Sequence, residues 1–315
     1  MTFNNNLGND YGSRGSTGGS GSSGGFGNGF GGGPRRGGGM FMSLLGGMIG
    51  RKFGIPGLII FAIAVFLFSG GARMLPGVGD SGQQTQGRTG AGLEHCKTFE
   101  DANDNDDCRI LATQESLDRI WGEILPQEAG IKYTRNELTI AEGPMSTGCG
   151  RANASETGPF YCPGDNTVYM PVEFFQQLKR MGGSDGPFSQ MYVTAHEVGH
   201  HIQHLEGTLG LSDYDNPGQD SNAVKIELQA DCYAGLWASQ ADKGPNAVLD
   251  PLTQDQVEQA VTTARSIGDD AIQKNSGQNV DPDAWTHGSA EDRVNWFMRG
   301  YQGGTMKSCA QDFNR

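Results

Sequence analysis

Four of the six histidines in this 315-residue chain fall within nine positions, as His196, His200, His201 and His204, with Glu197 directly after the first. On a helix of 3.6 residues per turn, His196 and His200 stand on one face about 6 Å apart along the axis, so both imidazoles reach one ion. The pattern reads H-E-x-x-H. Such a pair offers neutral nitrogen ligands to zinc, and Glu197 falls beside the coordination position left open for water. Zinc acidifies that water, and the carboxylate takes its proton as a polarised carbonyl is attacked. A polar surface helix with the same letters would do none of this, so a third ligand has to be found.

Downstream, "KIELQADCYAGLW" is apolar-periodic and sets Glu227 and Asp231 four apart on one helical face. Glu227 is the candidate third, anionic ligand. Asp231, one turn on, can accept a hydrogen bond from the outer nitrogen of a ligand histidine, His196 by preference, and so fix its tautomer. A rival is Glu206, six beyond His200, where another class of zinc proteases places its third ligand after a tight turn. That turn uses glycine at position 203, and this chain has Gln203, which favours Glu227. His201 and His204 read as surface or packing residues, since His204 would lie about 12 Å along the helix from His196.

Near the C-terminus, "WTHGSAEDRVNWF" sets His287 ahead of a helix capped by Ser289, with Asp292 at the capping-box position and Arg293 one turn in. Two readings stand side by side. His287 and Arg293 are catalytic donors to a developing oxyanion, or they are a cap-region histidine and an arginine paired with a carboxylate such as Asp269 or Asp270.

Together, "HEVGHH", "ELQADCYAG" and "THGSAEDRVNWFMRG" resemble the bacterial neutral zinc metallopeptidase family, as does the lead-in "GPFYCPGDNTVYM". The likeness covers roughly residues 95 to 313, and loosely the Gly-rich head and an apolar segment. It implies a zincin-like fold of the glutamate-zincin type, a Zn2+ cofactor, peptide or protein substrates, and a single-pass bacterial membrane protein with an exported catalytic part. One departure is Pro171, where the resemblance leads to an acidic residue. In the zincin arrangement so implied, an edge strand lines the cleft and pairs with an extended substrate; Thr167 to Met170 is the candidate, and the loop "CGRANASETGPFYC" would lie over the cleft.

The segments that must position these residues follow from composition. Residues 1–52 hold 19 glycines within the first fifty positions and read as a disordered head. Its five basic residues, "PRRGGG" among them, are too few and unrepeated for a nucleic-acid tail, and the net charge of −13 disfavours nucleic acid further. Residues 53–75 contain a charge-free run from Ile55 to Gly71, long enough for a transmembrane helix at the lower limit. Arg35, Arg36, Arg51 and Lys52 precede it, which places the N-terminus in the cytoplasm and residues 76 onward outside. Residues 76–92 read as a flexible tether. All six cysteines lie beyond it, an even number suited to disulfides in an exported domain; neighbours in sequence pair Cys96 with Cys108 and Cys149 with Cys162, leaving Cys232 with Cys309.

Residues 93–315 suffice for one cored domain. Helical periods run through 111–125, 172–182, 188–205, 223–240, 253–272 and 290–301, with strands near Leu138 to Ile140 and Thr167 to Met170. The expectation is a mostly helical α+β domain with a small sheet, preceded by one transmembrane helix in a lipid bilayer, acting as a zinc metallopeptidase. A zinc-stabilised exported scaffold without hydrolysis is the alternative; a closed structural site would have no use for Glu197.

Overall fold

Residues 2–18, 92–245 and 247–313 are described in the computed structural model of the chain. The H-E-x-x-H sequence lies on α5, Pro187–Glu206. Pro187 occupies the first helical turn, where its missing N–H costs nothing. Gly207, at φ 75°, closes the other end by donating to Gln203 and His204 carbonyls. α6, Asn222–Gln240, starts at Ser221, whose side chain accepts from the Val224 N–H.

These two helices touch closely because Gly199 lies between the two histidines: a Cβ there would stand 3.1 Å from the Ala230 backbone. The absence of that carbon lets Glu227 and Asp231 of α6 face His196 and His200 of α5. On its other flank α6 meets α9, Ala290–Gly303, at an even tighter crossing. There Gly235 abuts the Phe297 carbonyl and Gly300 the Cys232 carbonyl, with no room for a side chain at either position.

Before α5 come α1, Phe99–Asp104, then α2, Asp106–Ile124, a one-turn α3, Ala154–Thr157, and α4, Phe174–Arg180. After α6 come α7, Gln254–Ser266, and α8, Asp269–Asn275. The expected single helix over 253–272 is thus two. It breaks at Gly268, which is extended and lies against the Ala290 backbone where a Cβ would collide. Trp121, Trp237, Tyr192, Phe188 and Phe297 are buried in the core between α2, α5, α6 and α9.

The sheet runs β1-β2-β6-β5: β1, Ser16–Gly18, and β2, Glu137–Ala141, are parallel, β2 and β6, Thr167–Met170, are parallel, and β5, Phe160–Cys162, is antiparallel to β6. A separate hairpin joins β3, Pro144–Thr147, and β4, Gly150–Asn153. The strand expected at the cleft edge, Thr167 to Met170, is therefore interior, hydrogen-bonded on both sides; the edges belong to β5 and β1. The α+β expectation agrees with this arrangement. The three disulfides are Cys96–Cys108, Cys149–Cys162 and Cys232–Cys309.

Over residues 2–18 the expectation of a disordered head is corrected. Phe3, Leu7 and Tyr11 are buried, and two short 3-10 turns lead into β1. These three anchors recur at every fourth position, a signal diluted by the glycines that follow. Complete burial of side chains such as Phe3 and Leu7 contributes roughly 1.5–3 kcal/mol each, enough to offset the ordering of a few residues. The transmembrane helix expected at 53–75, the remainder of the head and the tether up to residue 91 lie outside the described residues. Among the described residues, no helix is long and apolar enough to cross a membrane.

Candidate metal centre

His196, His200 and Glu227 each present a donor atom to the same point, all within 4.8 Å of one another and all buried. Nε2 of His196 lies 3.2 Å from Oε2 of Glu227, and Nε2 of His200 lies 3.6 Å from Oε1. Bonds of about 2.0–2.1 Å to a tetrahedral zinc set its ligand atoms about 3.3 Å apart, so this spacing fits the ion. The orphaned polar atoms agree. Nε2 of His200 and both carboxylate oxygens of Glu197 are buried without a hydrogen-bond partner. Buried polar atoms are nearly always satisfied, and a carboxylate more than most, so these unpartnered atoms fit a cluster that would hold a cation.

Each imidazole is held from behind. Nδ1 of His196 lies 2.8 Å from Oδ1 of Asp231, as expected for the carboxylate one turn after Glu227. Nδ1 of His200 lies 2.8 Å from Oε1 of Gln203, whose amide nitrogen donates to the Ile226 carbonyl at 2.7 Å and to Gln229 Oε1 at 3.0 Å. With Nδ1 donating, Nε2 of each ring is left as the ligand atom. In the sequence, Gln203 stands out only as a missing glycine. Its place one turn beyond the second histidine, facing α6, was the available signal.

Charge in the cluster is set by mutual pairing. Burial disfavours the imidazolium of His196, but the Asp231 and Glu227 carboxylates together outweigh it and lift the pKa to about 10. Burial pushes Glu227 up, yet His200 and His196 together hold its carboxyl well below the usual range. Glu197 moves the other way: burial raises its pKa, reinforced by the Glu227 charge and opposed by the two histidines. The phenol of Tyr214, in the connection between α5 and α6, donates to Oε1 of Glu227 at 3.1 Å. That tyrosine sits in a segment without periodicity, so nothing in the sequence singled it out.

The remaining candidates separate. Glu206 accepts from the Tyr233 hydroxyl at 2.8 Å and does not join the cluster. His201 is buried, bound to the Thr134 carbonyl at 2.7 Å, while exposed His204 meets the Tyr161 hydroxyl at 2.6 Å; both are packing residues. His287 is buried, anchored by Asp269 through the ring at 3.1 Å and the backbone N–H at 2.7 Å, and its charge is felt by Glu227. Of the two readings of Arg293, the structure shows an arginine paired with a carboxylate. Neither Asp269 nor Asp270 is its partner: the buried guanidinium binds Asp231 at two points and the Ile267 carbonyl at 3.2 Å, which commits it to the carboxylate behind His196.

Comparison with known proteins agrees with this geometry. The chain is similar to the uncharacterized protein Rv2575 of Mycobacterium tuberculosis, 43% identical over 226 residues, covering 70% of this chain and 75% of the relative. It is also similar to the uncharacterized protein YpfJ of Escherichia coli K12, 40% identical over 209 residues, covering 64% of this chain and 68% of the relative. No solved structure matches. The model of the family described as "Putative neutral zinc metallopeptidase" matches residues 14–312, nearly the whole chain and every residue of the cluster. The chain therefore belongs to the neutral zinc metallopeptidase family.

Proposed function

We propose that the protein is a zinc-dependent peptidase that hydrolyses peptide bonds, with His196, His200 and Glu227 as the metal ligands. One observation carries this reading. Glu197, fully buried and without a hydrogen bond from the protein, stands in the same charge cluster as the three ligands. A purely structural site has no use for such a carboxylate.

When bound, zinc supplies Lewis acidity toward a peptide carbonyl and the attacking water. Glu197 takes the proton of that water and returns it to the leaving amine, a task favoured by a carboxyl pKa raised through burial. Asp231 and Gln203 keep the two imidazoles turned so that Nε2 faces inward. Arg293 and Tyr192 hold Asp231 in turn. His287, fixed by Asp269, is the donor toward the carbonyl oxygen as it gains charge.

The three disulfides support an oxidising, extracytoplasmic compartment for the domain, in a bacterial envelope. The apolar run from Ile55 to Gly71 supports attachment to the lipid bilayer. Full-length protein in detergent, offered a mixed peptide library, should release new N-termini, stop on chelation, and resume on addition of zinc. No cleavage with one zinc bound per chain would favour the scaffold reading, and cleavage that survives chelation would exclude zinc from the reaction.

A further inference from the structure

We infer that residues 2–18 are an integral part of the domain built from residues 92–313, and that both therefore lie on the same side of the membrane. This goes beyond the peptidase reading and does not depend on it.

The contact is too extensive and too specific for a passing association. Phe3, Leu7 and Tyr11 are 1–2% exposed. Asn103 of α1 clamps the segment from both directions: its side-chain oxygen accepts from the backbone N–H groups of Thr2 and Phe3, and its nitrogen donates to the Phe3 carbonyl. The segment also bonds residues 248–250 through its backbone, Asn4 N–H to the Val248 carbonyl at 2.9 Å and Asp250 N–H to the Thr2 carbonyl at 2.8 Å. β1 then forms a parallel ladder on β2, Ser16 opposite Thr139.

Charge completes the fit. Asp118 of α2 is fully buried, and Arg14 is its closest cation, with Nε 2.7 Å from Oδ2 and a second contact through Nη2. Tyr133 donates to the other oxygen at 2.6 Å. Without Arg14, that carboxylate would keep, among the described residues, only the exposed Arg135 at 3.6 Å as a charge partner. Burying an under-paired carboxylate is strongly unfavourable, so residues 92–313 are built to receive Arg14. The family match begins at this same arginine.

A single membrane crossing between residues 18 and 92 would put β1 and β2 on opposite faces, where no ladder forms. The inference thus requires an even number of crossings, or none. It replaces a cytoplasmic N-terminus opposite an exported domain, which the flanking charges alone had suggested.

The test uses the full chain in its own membrane. Ser16→Cys and Thr139→Cys place thiols where the two hydroxyls lie 3.3 Å apart, and a protease site is inserted after residue 80. After cleavage, the two fragments should migrate together without reductant and separate with it. Tags at the N- and C-termini should both be digested, or both be spared, by protease added outside spheroplasts. Fragments that separate without reductant, or tags of opposite accessibility, overturn the inference. Either result is read without any measurement of peptidase activity, so it stands apart from the zinc chemistry.

Discussion

Arg293 grips Asp231 at two points, Nε to Oδ2 at 2.9 Å and Nη2 to Oδ1 at 3.0 Å, inside a fully buried environment. The same Oδ1 also meets His196 and the Tyr192 hydroxyl, so α9 is linked through one carboxylate to the first histidine of α5. The arginine thus reaches the candidate metal ligand His196 through the carboxylate behind it.

Arg293→Met should accordingly weaken the fold and the metal site together. Removing one partner of a buried ion pair costs about 3–5 kcal/mol, and zinc affinity should fall with the loss of His196's support. Thermal unfolding and competition with a chromophoric chelator measure both. A variant with wild-type stability and zinc affinity but a depressed kcat would restore Arg293 to the oxyanion role.

The two buried donors' partners, Asp231 and Gln203, are expected to behave alike. Asp231→Asn and Gln203→Ala should each weaken zinc binding by about 10- to 100-fold, as changes behind a ligand histidine do. Zinc titration of the apo-protein checks this. Unchanged affinity in the Gln203 variant would make its contact with His200 incidental.

Glu227→Ala should abolish stoichiometric zinc, whereas Glu206→Ala should retain it, because Glu206 is engaged by Tyr233 away from the cluster. Metal analysis after dialysis is sufficient. Loss of zinc only in the Glu206 variant would transfer the third ligand to that residue.

His287→Ala should lower kcat by about 10²- to 10³-fold with KM and zinc content little changed, the pattern of a lost oxyanion donor. If the variant unfolds instead, the bond from His287 to Asp269 serves the junction of α8 and α9.

Much of this site is legible in the sequence because helical spacing is rigid. His196, His200, Glu227 and Asp231 are placed by i, i+4 geometry alone once the two helices are known to meet. What spacing does not give is the meeting itself, which depends on Gly199 lying against Ala230. The carboxylate partner of Arg293 is hidden for a related reason: Asp231 sits 62 positions away on another helix, beyond any local pattern. The strands at 138–140 and 167–170 are legible, but not their pairing nor the flanking β5 and β1, since pairing is a long-range property of the sheet. Residues 2–18 were hidden by averaging, three anchors among many glycines.

The central claim is that Glu197 is a base beside a bound zinc and not a ligand to it. Glu197→Gln keeps the side chain's size and removes its basicity. Zinc content and peptide cleavage, measured on one preparation of the full-length variant, test the claim most directly. The expected result is one zinc per chain with cleavage reduced by about 10²- to 10⁴-fold. A variant that cleaves at the parent rate, or one that no longer binds zinc, would contradict it.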